Sequence, residues 1–166
     1  MFVRLARLAS ASMFAVVVVL SVMITGSAET ARPPVADDGV VRVKSSYSFD
    51  DTVRRLREDI AAKGIVFFNA VEQSKLAAAA GIELRPSTLL IFGNPGLGSH
   101  FITARPEAGL DWPVRLLVTQ DGSGNVWAVY TDFDWIARRH GITTRTQEFA
   151  MATKVIASIA SSVATK

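Results

Sequence analysis

Cysteine is absent from all 166 residues. That excludes disulfides, thiol catalysis, cysteine-ligated zinc and iron–sulfur clusters. It also excludes a bacterial lipoprotein anchor, which requires a cysteine at the cleavage site. Histidine occurs only at His100 and His140, so a three-histidine zinc site is excluded. Mixed ligation with Asp111, Asp132 or Asp134 is left open, and no metal or cofactor is assigned. Charge of either sign is nearly balanced. The formal net charge is +3, and Arg4 and Arg7 lie in a stretch that has no acidic residue. Without those two the chain carries 16 basic against 15 acidic residues. Nucleic acid and anionic lipid both select clustered positive charge, so no nucleic-acid partner is expected. Phosphate-loop, dinucleotide and serine-elbow signatures are missing as well. No catalytic residue is assigned.

What is present is enough apolar sequence, 49% of residues, to build a core rather than a disordered chain. Residues 1–28 have the three parts of a secretory signal. Arg4 and Arg7 supply the positive start, residues 13–24 (MFAVVVVLSVMI) the apolar centre, and Gly26-Ser27-Ala28 the small residues at the cleavage site. Cleavage is expected after Ala28, and the mature protein is expected in the periplasm or secreted. The membrane is then met only transiently, through the signal peptide. The competing reading is an uncleaved anchor over residues 8–25, near the lower length limit for spanning a bilayer. Residues 29–39 (ETARPPVADDG) are polar with two prolines and read as a linker to one domain over residues 40–166.

Within that domain, VVRVK at 40–44 alternates as a half-buried strand does. Ser48 or Asp50 can cap the following helix, in which Val53, Leu56 and Ile60 share a face and which Gly64 ends. Residues 65–71 (IVFFNAV) read as a strand, 72–80 as a short helix before Gly81, and 87–92 as a second central strand starting after Pro86. Residues 93–113 pass through a glycine- and proline-rich turn, a short helix and an Asp-Trp-Pro corner. The strands at 114–120 and 126–130 flank DGSGN, the best hairpin signal in the chain. Residues 132–140 form a helix with Asp at its start and Arg and His at its end. Thr144 with Gln147 makes a capping-box pattern ahead of a final helix carrying Phe149, Ala152, Ile156, Ile159 and Val163 on one face. That helix is expected to dock on the sheet; a membrane-surface helix would have a more basic polar face. The hairpin and the order of elements give an α+β fold with a mainly antiparallel sheet and helices packed on one face.

Five short pieces then coincide in order and spacing with a known family. They are Tyr47-x-Phe49-Asp50-x-Thr52, Ile91-Phe92-Gly93-Asn94-Pro95 with Gly98-Ser99, Asp111-x-Pro113, Val126-Trp127-x-x-Tyr130, and Arg139-His140-Gly141-Ile142. Through them, over roughly residues 47–142, the chain resembles the bacterial "domain of unknown function 302" family. The resemblance implies a compact α+β domain, similar to the TATA-box-binding-protein-like architecture and often dimeric, with no established reaction. Two positions depart from the pattern. Glu72-Gln73 stands where the family often has Asp-His, and His100 stands where a small residue is common.

Three functional readings follow. The first is an exported binding module in which a concave sheet face, closed by residues 93–113, holds a small organic or anionic ligand. Its candidate contacts are Asn94, Ser99, Asp111, Tyr130, Asp132 and His140, polar residues at the ends of elements. The glycine-rich 93–99 segment could cradle an anion, but a turn with Asn94 capping and Pro95 at the first helical position is the favoured reading. The second is a structural homodimer joined through a sheet edge or the final helix. The third is a hydrolase or isomerase with Tyr130 and His140 as acid–base partners.

Overall fold

The computed structural model describes residues 34–164, which lie in one compact unit. The expected leader and most of the expected linker lie outside the described residues. The described end of the linker lies against the domain. Val35 bridges Val41, and the Asp132 amide donates to the Gly39 carbonyl at 2.8 Å.

The first strand, β1 (Val40–Lys44), buries Val41 and Val43 and exposes Arg42 and Lys44. Helix α1 (Phe49–Ala62) starts where the Ser48 hydroxyl accepts the Asp51 amide at 3.3 Å, with Asp50 and Asp51 in its first turn. Thr52, Leu56 and Ile60, four residues apart, are its buried stripe. It stops at Gly64, whose φ of 65° lies in the left-handed region open to glycine at little steric cost. There follow β2 (Val66–Val71), α2 (Gln73–Ala79), β3 (Ser87–Gly93), α3 (Pro95–Ala104), a 3₁₀ turn (Pro106–Leu110), the hairpin β4 (Val114–Gln120) and β5 (Val126–Thr131), α4 (Phe133–Arg139) and α5 (Thr146–Ser161). The hairpin loop is organised by Asp121. Its carboxylate accepts the Ser123 and Asn125 amides, the Asn125 side chain and the Trp127 indole, all at 2.9–3.0 Å.

All five strands form one antiparallel sheet in the order β1-β5-β4-β3-β2. The first two strands of the chain are therefore its two edges, and α1 must carry the chain across the whole sheet. Fourteen residues of helix span about 21 Å. Four strand spacings come to about 19 Å, and the two edge strands run parallel, so α1 with its flanking loops both crosses the sheet and returns the chain along it. Under α1 lie Leu90, Phe92, Leu116, Val118 and Ala128, buried with Leu56, Ile60, Ile156 and Ile159 in one core. Phe101, Phe133 and Phe149 lock α3, α4 and α5 together, with ring centroids 4.3–6.4 Å apart.

The capping-box expectation is corrected. Helix α5 begins at Thr146, after Arg145 in a left-handed conformation (φ 63°) with no side-chain cap, rather than after Thr144. The chain leaves α4 through an Ile142 amide bonded to the Ala137 carbonyl. It then enters α5 in the register that places Phe149 against Phe101, and burial of that ring outweighs a surface cap.

Candidate functional site

Alternation along the strands decides what the second sheet face presents. Opposite the core side stand Arg42 and Lys44 of β1, Trp127 and Val129 of β5, Arg115 and Leu117 of β4, Leu89 and Ile91 of β3, and Asn69 and Val71 of β2. These side chains are half-buried or exposed. Every charge among them is positive, and no strand position on this face is acidic. Leu89, Leu117, Val129 and Arg115 line a shallow depression of about 250 Å³ there.

Arg115 is held at that rim by Asp111. The Asp111 side chain is 4% exposed and accepts three partners. Arg115 Nη2 donates to Oδ1 at 3.0 Å, Arg139 Nη1 donates to both oxygens at 3.2 Å, and His140 Nε2 lies 2.7 Å from Oδ2. A carboxylate paired with two guanidiniums offers only acceptors, so Nε2 carries the hydrogen. Arg115 Nη2 also donates to the Leu110 carbonyl at 2.7 Å, and Arg105 Nε to the His140 carbonyl at 3.2 Å. Burying a lone carboxylate would cost several kcal/mol, on the order of the penalty that its partners offset here. The node joins three elements: the end of the 3₁₀ turn, β4 and the end of α4. The space beside Asp111 is about 10 Å³, room for no more than about one water. Asp111 and His140 therefore position arginines rather than enclose a substrate.

The six candidate residues divide accordingly. Asp111 and His140 are bonded to each other. Tyr130 lines the sheet-face depression, while its residue is 4% exposed and belongs to the core. Asn94, Ser99 and Asp132 are placed by local helix chemistry. Asn94 Oδ1 accepts the Leu97 amide at 3.1 Å, the Ser99 hydroxyl donates to the Pro95 carbonyl at 2.7 Å, and Asp132 Oδ1 accepts the Trp135 amide at 2.9 Å. The 93–99 segment is thus a capped helix start, and Gly98 is the seat of the Trp112 indole: a Cβ there would overlap Nε1 and Cε2 of that ring. Tyr130 and His140 share neither the depression nor the space beside Asp111, which gives an acid–base pair no common cavity in either place. Among the described residues no three His, Asp or Glu side chains gather to hold a metal ion.

Sequence reasoning missed Arg115 and Arg139. One signal was available. The Asp111-x-Pro113 and Arg139-His140-Gly141-Ile142 pieces, 28 residues apart, are the two halves of this node. Their joint occurrence is explained by the ion network rather than by separate sites.

Comparison with known proteins bears on the same residues. The chain is 38% identical over 113 residues to the "Fluoride-specific ion channel FluC 1" of Brucella suis biovar 1 and to that of Brucella abortus biovar 1. The match covers 66% of this chain and 44% and 42% of those proteins. The same identity is found to the "Fluoride-specific ion channel FluC 2" of Brucella melitensis biotype 1. The chain therefore spans less than half the length of these curated relatives. A crystal structure of an uncharacterized conserved DUF302 protein from Bacillus stearothermophilus superposes with a TM-score of 0.69 at 17% identity. It covers 75% of this chain and 98% of that one, which establishes the shared fold. The family model for the domain of unknown function DUF302 matches residues 41–162, from β1 to the end of α5 and including the whole Asp111 node, and the chain belongs to that family.

Proposed function

We propose that this chain is an exported binding domain that seats a small organic anion on the open face of its sheet. The observation that carries the reading is Arg115, fixed by the buried Asp111 at the rim of an apolar depression on a face whose strands bear cations and no carboxylate. Its Nη2 is taken by Asp111 and the Leu110 carbonyl, which leaves Nη1 and Nε to pair with an acid group. An apolar body would lie on Leu89, Leu117 and Val129. Export is supported by the leader, with Arg4 and Arg7 ahead of the apolar 13–24 stretch and small residues at 26–28. Thermal unfolding in the presence of benzoate tests the reading. The midpoint should rise with benzoate, by the equivalent of about 2.7 kcal/mol at a hundredfold excess over Kd. Arg115→Gln should abolish the rise. A wild-type midpoint that benzoate and short aliphatic carboxylates leave unmoved would refute it.

A second reading is favoured by the Brucella relatives, whose names describe a fluoride-specific channel and more than half of whose length lies outside the match. No helix among the described residues is long and apolar enough to cross a membrane. In that reading the channel occupies the remainder of those chains, and this domain serves as its accessory. Loss of this chain should then alter growth of its host in fluoride, and unchanged fluoride tolerance would count against it.

A further inference from the structure

We infer a second ligand site, separate from the sheet face: a groove along α5 that takes an anionic amphiphile, a monocarboxylate with a hydrophobic body. Helix α5 turns Phe149, Ala152, Ile156 and Ile159 into the core. The neighbouring stripe, Met151, Val155 and Ser158, follows at helical spacing and is not buried; Met151 is 57% exposed. This stripe forms one wall of a groove of about 430 Å³, within the range of roughly 300–1,000 Å³ common for small-ligand sites. Ile65, Phe92 and Leu97 are among its other apolar lining residues.

The charges on its border are of one sign. Lys63, at the end of α1, and Lys154, on α5, line the groove, and no acidic residue does. Lys63 is engaged by Asp59, with Nζ 2.6 Å from Oδ2. Lys154 is exposed and makes no ion pair among the described residues. A neutral hydrocarbon would leave this ammonium unused, and a compact polyanion would waste the apolar walls. A carboxylate whose body is large enough to fill about 430 Å³, a fatty chain or fused rings rather than the single ring of benzoate, satisfies both. The walls are apolar and the polar groups few and peripheral, the distribution expected when the body supplies affinity and the head group orientation. None of the residues argued here takes part in the Asp111 node or the sheet-face depression, so the inference stands apart from the proposed function.

Isothermal titration of the purified protein with decanoate, 1-naphthoate and decanol, each below its aggregation limit, tests the site. Binding of either acid is expected, and the preference between them tells a straight chain from a ring. Lys154→Glu should weaken the bound acid about tenfold or more while changing decanol by less than about twofold. Ser158→Trp, at an exposed position on the wall, should abolish binding of all three. Arg115→Gln should leave decanoate binding as it was while removing the response to benzoate, which separates the two sites. Failure of both acids to bind the wild type would overturn the inference, as would Lys154→Glu binding them with wild-type affinity. Lys154 is a surface side chain, so that variant remains decisive even if the tryptophan variant does not fold.

Discussion

Two glycines in the first turns of α3 invite the same substitution and should answer in opposite directions. Helix propensity favours alanine over glycine by about 0.8–1.0 kcal/mol in a helix interior, and somewhat less near an end. At Gly96 a Cβ would meet only Asn94 Oδ1 at 3.3 Å, so Gly96→Ala should be neutral or stabilising by up to about 1 kcal/mol. At Gly98 the Cβ would lie inside the Trp112 ring. That ring cannot simply retreat: it also covers Gly93, where a Cβ would stand 3.1 Å from Nε1, and it meets Phe68 edge-on at 6.2 Å. Overpacking of this kind costs about 3 kcal/mol. Less the propensity gain, Gly98→Ala should destabilise by about 2 kcal/mol, or about 6–10 °C in midpoint for a domain of this size. Urea denaturation of the two variants, followed by tryptophan fluorescence, measures the difference directly. Repeating Gly98→Ala on a Trp112→Ala background should turn the loss into a gain. If Gly96→Ala and Gly98→Ala behave alike, the close approach of Trp112 is not what requires glycine there.

Asp111→Asn should lower stability by about 2–4 kcal/mol, less than for a fully buried ion pair because Arg115 and Arg139 are half in solvent. A double-mutant cycle with His140→Gln should show coupling of about 1 kcal/mol or more, and additive effects would mean that the 2.7 Å bond is idle. Thr52→Val should cost about 1–3 kcal/mol, since it leaves the buried Ser45 hydroxyl without its 2.6 Å partner; equilibrium denaturation reads this. The bonds from Trp127 and Asn125 hold the Asp121 carboxyl well below its ordinary value of 3.8. Because the folded-state value is depressed, the stabilisation is present above about pH 4 and is lost as pH falls below that value. Asp121→Asn should therefore flatten the acid side of a stability-against-pH curve measured by urea midpoints, and an unchanged slope would refute the assignment.

Most of the architecture is readable from residues that have a single physical use. Val41 and Val43 between basic neighbours, Leu56 and Ile60 at helical spacing, and DGSGN between two β-branched runs each leave one reasonable element. The strand order is not readable in this way. Placing β1 and β2 at opposite edges depends on the length of α1 against the width of a sheet whose strand number is not known beforehand. The start of α5 is not readable either, because Thr144 and Gln147 are a local signal, whereas the Phe149 contacts that set the register come from α3 and α4. The site was half legible. Polar residues at element ends mark both caps and ligand contacts, and nothing local to Asn94, Ser99 or Asp132 tells the two uses apart. Asp111 and His140 stand out in the sequence one by one. The arginines that give the node its meaning sit 4 and 28 residues from Asp111, in other elements, and one-dimensional spacing does not bring them together.

The two borders of the sheet have a bearing on how the protein can associate. At one border Val35 already bridges Val41 of β1, and at the other the register of β2 slips between Phe67 and Asn69. An added strand would have to displace the first and would meet a broken ladder at the second. Growth by strand addition, the route to open-ended fibres, is thus hindered at both ends of a sheet of which the described residues leave one broad face uncovered. The described residues oppose polymerisation along the hydrogen-bonding direction while leaving a surface exposed.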